Sequence, residues 1–254
     1  MNNPANPAAD NPAPGGNGGT PQPLVFEISW EVCAQAGGIY TVLRSKSPSA
    51  VRRWGDRYWL IGPYRESAAA IEFELEPPDG VVAQAVENLR DRGIVVHCGR
   101  WLITGRPRVM LIDLRNLYDR LGQSKYFLWK DHGIGTPDGD TEVNDLVLFG
   151  YACADLLQVV HEHMAGRPMI AHFHEWQSAV PLPVLRHRQV LFPTVFTTHA
   201  TLVGRSLSAA NANLYDHLGQ IDGPAVARDH GFEHRFLIEK AAAHAADVFT
   251  TVSG

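Results

Sequence analysis

Short apolar runs alternate with amphipathic stretches along most of this chain, and that alternation limits the available folds more than any other feature. Strands that alternate with helices favour βαβ units, in which parallel strands form one sheet. Several runs are apolar almost throughout, as expected of strands that helices cover on both faces. The pattern therefore predicts an α/β fold with a mostly parallel sheet. We predict strands at 24–30, 58–62, 94–97, 107–113, 169–174, 194–199 and 248–252, and helices near 38–46, 81–92, 142–164, 177–188, 206–218 and 232–246.

Two features mark the limits of this predicted domain. Residues 1–22 carry a single charge, Asp10, and consist mostly of Asn, Pro, Ala and Gly. Such a segment has too little apolar surface to join a core, so we expect a disordered tail before a domain at 23–254. The chain stops directly after a predicted buried strand, so we expect that it continues in the parent protein.

Composition narrows the class of partner. The apolar fraction is 45% and the formal net charge is −5, so the chain lacks the basic surplus typical of nucleic-acid-binding proteins. No uninterrupted run reaches the roughly 18 apolar residues that cross a bilayer, and we expect no membrane partner. The three cysteines are far apart and form no CxxC pair, which favours a reducing, cytoplasmic setting. A nucleophilic role for Cys33 stays open as the less favoured interpretation.

The segment 26–43 contains the first candidate site. An apolar strand passes through a short loop into the pair Gly37-Gly38, and apolar residues at helical spacing follow. A glycine pair at such a turn lets the backbone approach a ligand, and the helix N-terminus behind it offers free N–H groups to a phosphate. Glycine pairs also form ordinary turns, so ligand binding here is a hypothesis. Ser47-Pro48 is typical of a new helix cap and first helical position, which predicts a helix break there.

Two histidines lie at the end of a later strand. His172 and His174 are two residues apart, so they could share one side of the sheet. A zinc site would need further ligands at suitable spacing, and none stands out nearby, so we expect no metal. For His172, the sequence is equally compatible with a structural role, as a hydrogen-bonded buried side chain, and with a functional role. The position of His174, at the strand end before a helix, favours function.

The run from Thr197 to Thr201 repeats this layout, since an apolar strand ends in polar residues before a helix. Thr201 could simply cap that helix. Alternatively, His199 and Arg205 could contact the phosphates of a nucleotide. Because ligands of such sheets bind at the carboxyl ends of the strands, the glycine pair, His174 and His199 would then line one crevice.

Many motifs occur together in one order, and their combination is characteristic. They are Glu27 to Leu43, Trp54-Gly-Asp56, Ile61-Gly-Pro-Tyr64, Gly99-Arg-Trp-Leu-Ile103, Asn144-Asp145 with Val147-Leu-Phe-Gly150, Ala171-His-Phe-His-Glu-Trp176, Phe196-Thr-Thr-His-Ala-Thr201 with Gly204-Arg205, and Ala241-Ala-Ala-His244 before Val248-Phe-Thr-Thr-Val-Ser253. Over residues 24–253 the chain resembles the N-terminal domain of the animal- and fungal-type glycogen synthases.

The resemblance implies a retaining glucosyltransferase with two Rossmann-like, doubly wound domains that face each other across a cleft, the GT-B arrangement. Such an enzyme transfers glucose from UDP-glucose to the 4-hydroxyl at the non-reducing end of an α-1,4-glucan, without a metal or other cofactor. By the same resemblance, His199 and Arg205 would contact the sugar nucleotide. Gly37 and Gly38 would approach its diphosphate, and His174 would lie beside the transferred glucose as the catalytic residue.

Two departures from the family pattern matter. Gln35 stands where the family carries Lys or Arg, so this substrate-binding position can donate a hydrogen bond but supplies no charge. The family's C-terminal domain, with most of the UDP site and a pair of catalytic glutamates, lies outside these residues. Any homo-oligomer would form through those missing regions. We therefore expect the fragment alone to be inactive.

Two other functions stay open. A non-catalytic glucan- or partner-binding module derived from such an enzyme would share these motifs, and a reading frame that ends at residue 254 would favour it. A nucleotide-dependent oxidoreductase would share the fold class. The chain lacks the G-x-G-x-x-G fingerprint and the acidic ribose partner of that class, which disfavours it.

Overall fold

The computed structural model of the protein describes residues 21–209 and 215–252. Within them, eight strands form one sheet. The strands are β1 (Leu24–Ile28), β2 (Tyr58–Pro63), β3 (Phe73–Leu75), β4 (Val95–Trp101), β5 (Arg108–Asp113), β6 (Met169–His174), β7 (Thr194–Thr198) and β8 (Val248–Thr251). Their order across the sheet is β3-β4-β5-β2-β1-β6-β7-β8. The pairings from β5 through β8 in this order are parallel, whereas β3 and β4 are antiparallel additions at one edge.

Helices cover both faces of the sheet. In the described residues they are α1 (Ile39–Trp54), α2 (Glu66–Glu72), α3 (Gly80–Asp91), α4 (Leu121–His132), α5 (Thr141–His163), α6 (Pro181–His187), α7 (Leu202–Ala209), α8 (Gly223–Asp229) and α9 (Glu233–Ala245). The α/β fold with a mostly parallel, Rossmann-like sheet is therefore confirmed. The tail predicted at 1–22 lies outside the described residues except for its last two positions.

All of the predicted strands are present, but the sequence missed β3 and the helices α2, α4 and α8. In α4, exposed aromatic residues such as Tyr126 and Trp129 blur the helical period that a buried face would show. The helix predicted near 206–218 differs too, because α7 covers Leu202–Ala209. Residues 210–214 of that prediction lie outside the described residues.

The first helix does not break at Pro48, contrary to the prediction. Helix α1 continues to Trp54 with Pro48 inside it. A proline removes one backbone donor from a helix interior, but Leu43, Ser47 and Ala50 are buried on both sides of it. Ser47 Oγ also donates to the Leu43 carbonyl at 2.7 Å. Packing of this face against the sheet therefore keeps the helix continuous across the proline.

The strand order reverses between β1 and β6. From β1 the chain passes through α1 to β2 and later to β5, whereas β6 lies on the other side of β1 and leads to β7 and β8. In open α/β sheets a ligand crevice forms outside the carboxyl ends of the strands at such a switch point. The loops that follow Ile28 and His174 border this position.

Alternate residues of the central strands enter two hydrophobic cores on opposite faces of the sheet. In β1, Phe26 and Ile28 belong to the larger core, and Val25 belongs to the smaller core beneath α1. Glu27 points to the same side as Val25, and its register partner in β2 is Leu60. A carboxylate that is 1% exposed at the centre of a sheet requires partners. Those partners belong to the candidate site.

Helix α5 is the central helix of the larger core. By length and composition it could cross a bilayer, and 78% of its apolar stretch is buried inside the protein. Phe149, Cys153 and Leu157 are fully covered there. Its apolar composition is therefore explained by its place in the core.

Candidate functional site

A cleft of about 420 Å³ lies at the carboxyl edge of the sheet, where the loops after β1, β6 and β7 meet. The structure brings the Gly37-Gly38 pair, His199 and Arg205 together in its lining. Gln35 is exposed on the glycine loop beside the cleft. The full lining comprises Trp30, Glu31, Ala36, Gly37, Gly38, Ile39, Val42, Glu142, Glu175, Gln177, His199 and Arg205.

Glu31 holds the glycine loop through its carboxylate. Its Oε2 accepts the N–H of Gly37 at 2.8 Å and the N–H of Tyr40 at 2.9 Å. The N-cap residue of α1, Gly38, has no side chain to cap the helix, and the first turn contains no acidic residue, so Glu31 is the anion at its positive end. Two of the N–H groups expected to be free are therefore occupied. The N–H groups of Gly38 and Ile39 have no acceptor among the described residues, and both residues line the cleft.

The two glycines are required for different reasons. A Cβ on Gly37 would lie 2.9 Å from Glu31 Oε1, whereas a Cβ on Gly38 would meet nothing within 4 Å. Gly37 therefore makes room for the carboxylate that holds the loop. Gly38 borders open space, where the missing side chain lets a ligand approach the backbone. The sequence predicted one role for both glycines, and the structure separates them.

Glu175 positions the loop that carries His199. Its backbone φ is 63°, which is uncommon for a residue with a side chain. Its Oε1 accepts the N–H of His199 at 2.8 Å and the N–H of Ala200 at 3.2 Å. The same oxygen lies 3.5 Å from Nη2 of Arg205. The carboxylate therefore fixes the backbone at His199 and attracts the guanidinium that lines the cleft.

Thr201 caps α7, as one of the two interpretations predicted. Its Oγ1 accepts the N–H of Gly204 at 3.1 Å. The side chain of Arg205 is 60% exposed, and its Nε donates to the carbonyl of Ala200 at 3.3 Å. Capping by Thr201 leaves the guanidinium accessible, so it is compatible with a ligand-binding role for Arg205.

His174 lies one layer beneath the cleft surface. It is 3% exposed, with Nδ1 3.2 Å from Nε2 of His199 and Nε2 2.6 Å from Oε1 of Glu27. It therefore reaches the cleft through His199. Direct contact between His174 and a sugar stays a prediction.

Glu27 joins this pair of histidines to α1. Lys46 Nζ lies 2.5 Å from Glu27 Oε1, and the Tyr58 hydroxyl donates to Oε2. Burial alone would raise the pKa of the Glu27 carboxyl, but the hydrogen bond from His174 and the charge of Lys46 hold that pKa well below its usual range. Glu27 is therefore a carboxylate with a partner on each oxygen.

His172 shares a side of the sheet with His174, as the spacing predicted, and their ring centroids are 4.1 Å apart. Its Nε2 lies 2.7 Å from Thr197 Oγ1, which is 2.6 Å from Thr250 Oγ1. Burial lowers the pKa of His172 to about 3. His172 is therefore hydrogen-bonded and partly buried, with 23% of its side chain exposed, as the structural interpretation predicted.

Glu27, His172 and His174 also form a group whose ligand atoms lie within 4.8 Å of one another. Spacing along the sequence identified the histidines but not the carboxylate, which comes from another strand. Such a donor set suits a divalent ion in principle. However, the ammonium of Lys46 already contacts the same carboxylate oxygen as His174. The positive charge beside this carboxylate is therefore supplied by the protein itself.

A second buried acid, Glu239 of α9, lies beneath the loop between β7 and α7. It accepts the N–H of Leu202 at 3.2 Å and the Thr198 hydroxyl at 3.5 Å. Burial, reinforced by the charge of Glu175, raises the pKa of Glu239 to about 7. Glu239, which holds this loop through hydrogen bonds, therefore titrates near neutral pH.

Cys33 is poorly suited to act as a nucleophile. It is 2% exposed, and burial together with the charge of Glu72 raises the pKa of its thiol far above the usual range. The thiolate is the nucleophilic form of cysteine. The environment of Cys33 therefore does not support a nucleophilic role.

Sequence reasoning missed the charged residues that hold the site together. Glu27 offered a usable signal, because a carboxylate within an apolar strand must find a partner when the strand is buried. Glu31, Glu175 and Lys46 offered none, since each lies in a polar or helical context where charge is ordinary.

Comparison with known proteins gives consistent matches. A family model described as "Glycogen synthase" matches residues 27–254. A glycogen [starch] synthase of Neurospora crassa is 46% identical over 231 residues, which is 91% of this chain and 33% of the relative. The liver glycogen [starch] synthase of Homo sapiens is 42% identical over the same shares of the two chains. The chain therefore spans about a third of the length of the curated relatives it matches.

A solved structure is similar in fold. It is the catalytic domain of starch synthase IV from Arabidopsis thaliana bound to ADP and acarbose, with a TM-score of 0.50 and 20% sequence identity. The match covers 91% of this chain and 45% of that one. At this identity the likeness supports the fold.

Proposed function

Because the chain belongs to the glycogen synthase family, we propose that it is the amino-terminal part of a retaining glucosyltransferase with the GT-B arrangement. Its donor is UDP-glucose, and its acceptor is the non-reducing 4-hydroxyl of an α-1,4-glucan. The observation that carries the proposal is the cleft at the switch point, which is lined by His199, by Arg205 and by Gly38 and Ile39, whose N–H groups have no acceptor among the described residues.

Departure of UDP develops negative charge on the diphosphate, and fixed donors aimed at that charge lower the barrier. The backbone N–H groups of Gly38 and Ile39, with the guanidinium of Arg205, are suited to this task. Gln35 adds a hydrogen-bond donor without charge beside them.

His174 acts on the sugar side in this proposal. Its ring lies beneath His199, so it acts through that residue, and a neutral imidazole at this side of the cleft helps to stabilise a centre that becomes positive as the donor bond breaks. Replacing His174 by alanine in the longer enzyme should reduce kcat far more than it raises KM for the donor. Unchanged turnover would contradict this role.

No metal or cofactor takes part in the proposed reaction. The contact of Lys46 with Glu27 supports this, because the ammonium already compensates the carboxylate of the group that could otherwise hold an ion. We also propose a reducing, cytoplasmic setting, which suits three buried free thiols.

The cleft is one side of a complete site in this proposal. The family's second domain would supply the remaining UDP contacts and the catalytic glutamates, so residues 21–252 alone should not transfer glucose. The alternative of a non-catalytic binding module gains no support from the matches, which are to synthases.

The test is transfer of radiolabelled glucose from UDP-glucose to glycogen, with this chain and an extended protein measured in parallel. We expect activity in the extended protein only. Arg205→Ala should lower its activity strongly, whereas the exposed control Arg90→Ala should leave it unchanged. Glucose transfer by this chain alone would contradict the proposal that a second domain supplies part of the site. An inactive extended protein would refute the proposed glucosyltransferase activity and favour the non-catalytic binding module.

A further inference from the structure

An ion pair beneath the cleft contacts the histidine pair from the side of α1. Glu27 Oε1 lies 2.5 Å from Lys46 Nζ and 2.6 Å from His174 Nε2. Glu27 is 1% exposed, and the Tyr58 hydroxyl donates to its other oxygen. The carboxylate therefore only accepts hydrogen bonds, and Nε2 of His174 must carry the hydrogen of this contact.

A neutral His174 leaves the charges of this buried group balanced. Glu27 and Lys46 already compensate each other, so an imidazolium would add an uncompensated positive charge at a buried position. Beyond His199, Arg205 adds another positive charge and Glu175 a negative one. A neutral ring that donates through Nε2 has a bare Nδ1, which can only accept.

We propose that the Lys46–Glu27 ion pair sets the tautomers of both histidines and thereby determines which ligand group His199 recognises. His174 Nδ1, as an acceptor, requires a hydrogen on His199 Nε2, because these atoms are 3.2 Å apart. The remaining ring nitrogen of His199, Nδ1, is then a bare acceptor. No partner for it is found among the described residues, and His199 lines the cleft.

The assignment has a consequence for specificity. A bare imidazole nitrogen accepts a hydrogen bond from a hydroxyl but repels a phosphate oxygen, which is also an acceptor. Burial and the charge of Arg205 lower the pKa of His199, which keeps this ring neutral as well. His199 should therefore bind a hydroxyl of the donor sugar and leave the phosphates to Arg205 and the glycine loop. This part of the inference rests on the proposed function, whereas the tautomers do not.

The tautomers can be measured directly by long-range ¹H–¹⁵N NMR of the imidazole rings in ¹⁵N-labelled protein at pH 7.5. We expect both His174 and His199 to carry hydrogen on Nε2 alone. An imidazolium at His174, or hydrogen on Nδ1 of His199, would overturn the proposal. The measurement needs no glucose transfer, so an inactive enzyme would refute the proposed function without affecting this result.

Lys46→Met removes the charge that compensates Glu27 and should change which ring nitrogens of His174 and His199 carry hydrogen. The buried carboxylate would then draw a proton onto His174, whose Nδ1–H would donate to His199 Nε2 and move the hydrogen of His199 to Nδ1. Lys46→Arg should keep the original pattern, and so should the exposed control Lys130→Met. A Lys46→Met protein with a folded backbone spectrum and unchanged tautomers would also overturn the proposal. If this variant does not fold, the spectrum of the unmodified protein decides alone.

Discussion

Replacing Glu31 by alanine is expected to loosen the glycine loop and to lower the free energy of unfolding. The change removes the acceptor of two N–H groups, at 2.8 Å from Gly37 and 2.9 Å from Tyr40. A side-chain cap contributes about 1 kcal/mol, and a partly buried charge at a helix N-terminus contributes about 1 kcal/mol more. Among the described residues no other side chain is found to cap the N-terminus of α1, so we expect a loss of about 2 kcal/mol.

Two further variants separate the contributions to this effect. Glu31→Gln keeps an acceptor oxygen but removes the charge, so it should cost about 1 kcal/mol. Glu66→Ala is the matched control, because Glu66 is an exposed glutamate that pairs with Arg115 at 3.2 Å. Exposed ion pairs contribute little, so this change should cost less than about 0.5 kcal/mol.

Urea denaturation followed by tryptophan fluorescence would measure the three losses. Hydrogen exchange at the Tyr40 amide provides the local readout, since this N–H loses its acceptor in Glu31→Ala. We expect Glu31→Ala to lose the most stability, Glu31→Gln an intermediate amount and Glu66→Ala almost none. Equal losses of stability for Glu31→Ala and Glu66→Ala, or unchanged hydrogen exchange at the Tyr40 amide, would refute the conclusion that Glu31 holds the glycine loop.

Three further predictions follow from the same geometry. Gly37→Ala should lower the free energy of unfolding by about 1–2 kcal/mol, because its Cβ would lie 2.9 Å from the Glu31 carboxylate that holds the loop. Gly38→Ala should leave the denaturation curves unchanged and raise KM for the donor in the extended enzyme. The opposite result for the two variants would contradict the separate roles of the two glycines. The pKa of Glu239 is raised from 4.5 to about 7, so the folded protein holds a proton that the unfolded chain releases, and stability should fall as pH rises through this window. Glu239→Gln should therefore stabilise the protein by about 1–3 kcal/mol at pH 8 but not at pH 4.5, and a gain that does not depend on pH would show that the carboxyl titrates normally. Gln35→Lys should lower KM for UDP-glucose in the extended enzyme roughly twofold to fivefold, and an unchanged KM would indicate that another cation already serves the diphosphate.

The periodicity of the sequence predicted the architecture because burial on a sheet or a helix imposes it directly. Apolar runs such as 24–30 and 169–174 became adjacent central strands, and their polar ends lie at the same edge of the sheet. The helix break at Pro48 was predicted wrongly for a related reason. Local preference favours a break, but burial of Leu43 and Ala50 on either side of the proline outweighs it.

The candidate site was only partly predictable. His174, His199 and the glycine pair stand at strand ends, where ligands of parallel sheets bind, so their positions were visible in the sequence. What each of them contacts was not visible. His174 and Glu27 are 147 residues apart in the chain, yet their side chains are hydrogen-bonded at 2.6 Å.

By itself, therefore, the sequence determined the α/β class, the family and the strand ends that border the cleft, because these follow from local periodicity and short motifs. Only the tertiary structure decided that Gly37 accommodates Glu31 while Gly38 borders the open cleft. It also decided that His174 lies beneath His199 rather than in the lining. The physical reason is that strand order and register bring together side chains whose spacing along the chain carries no information about their contact.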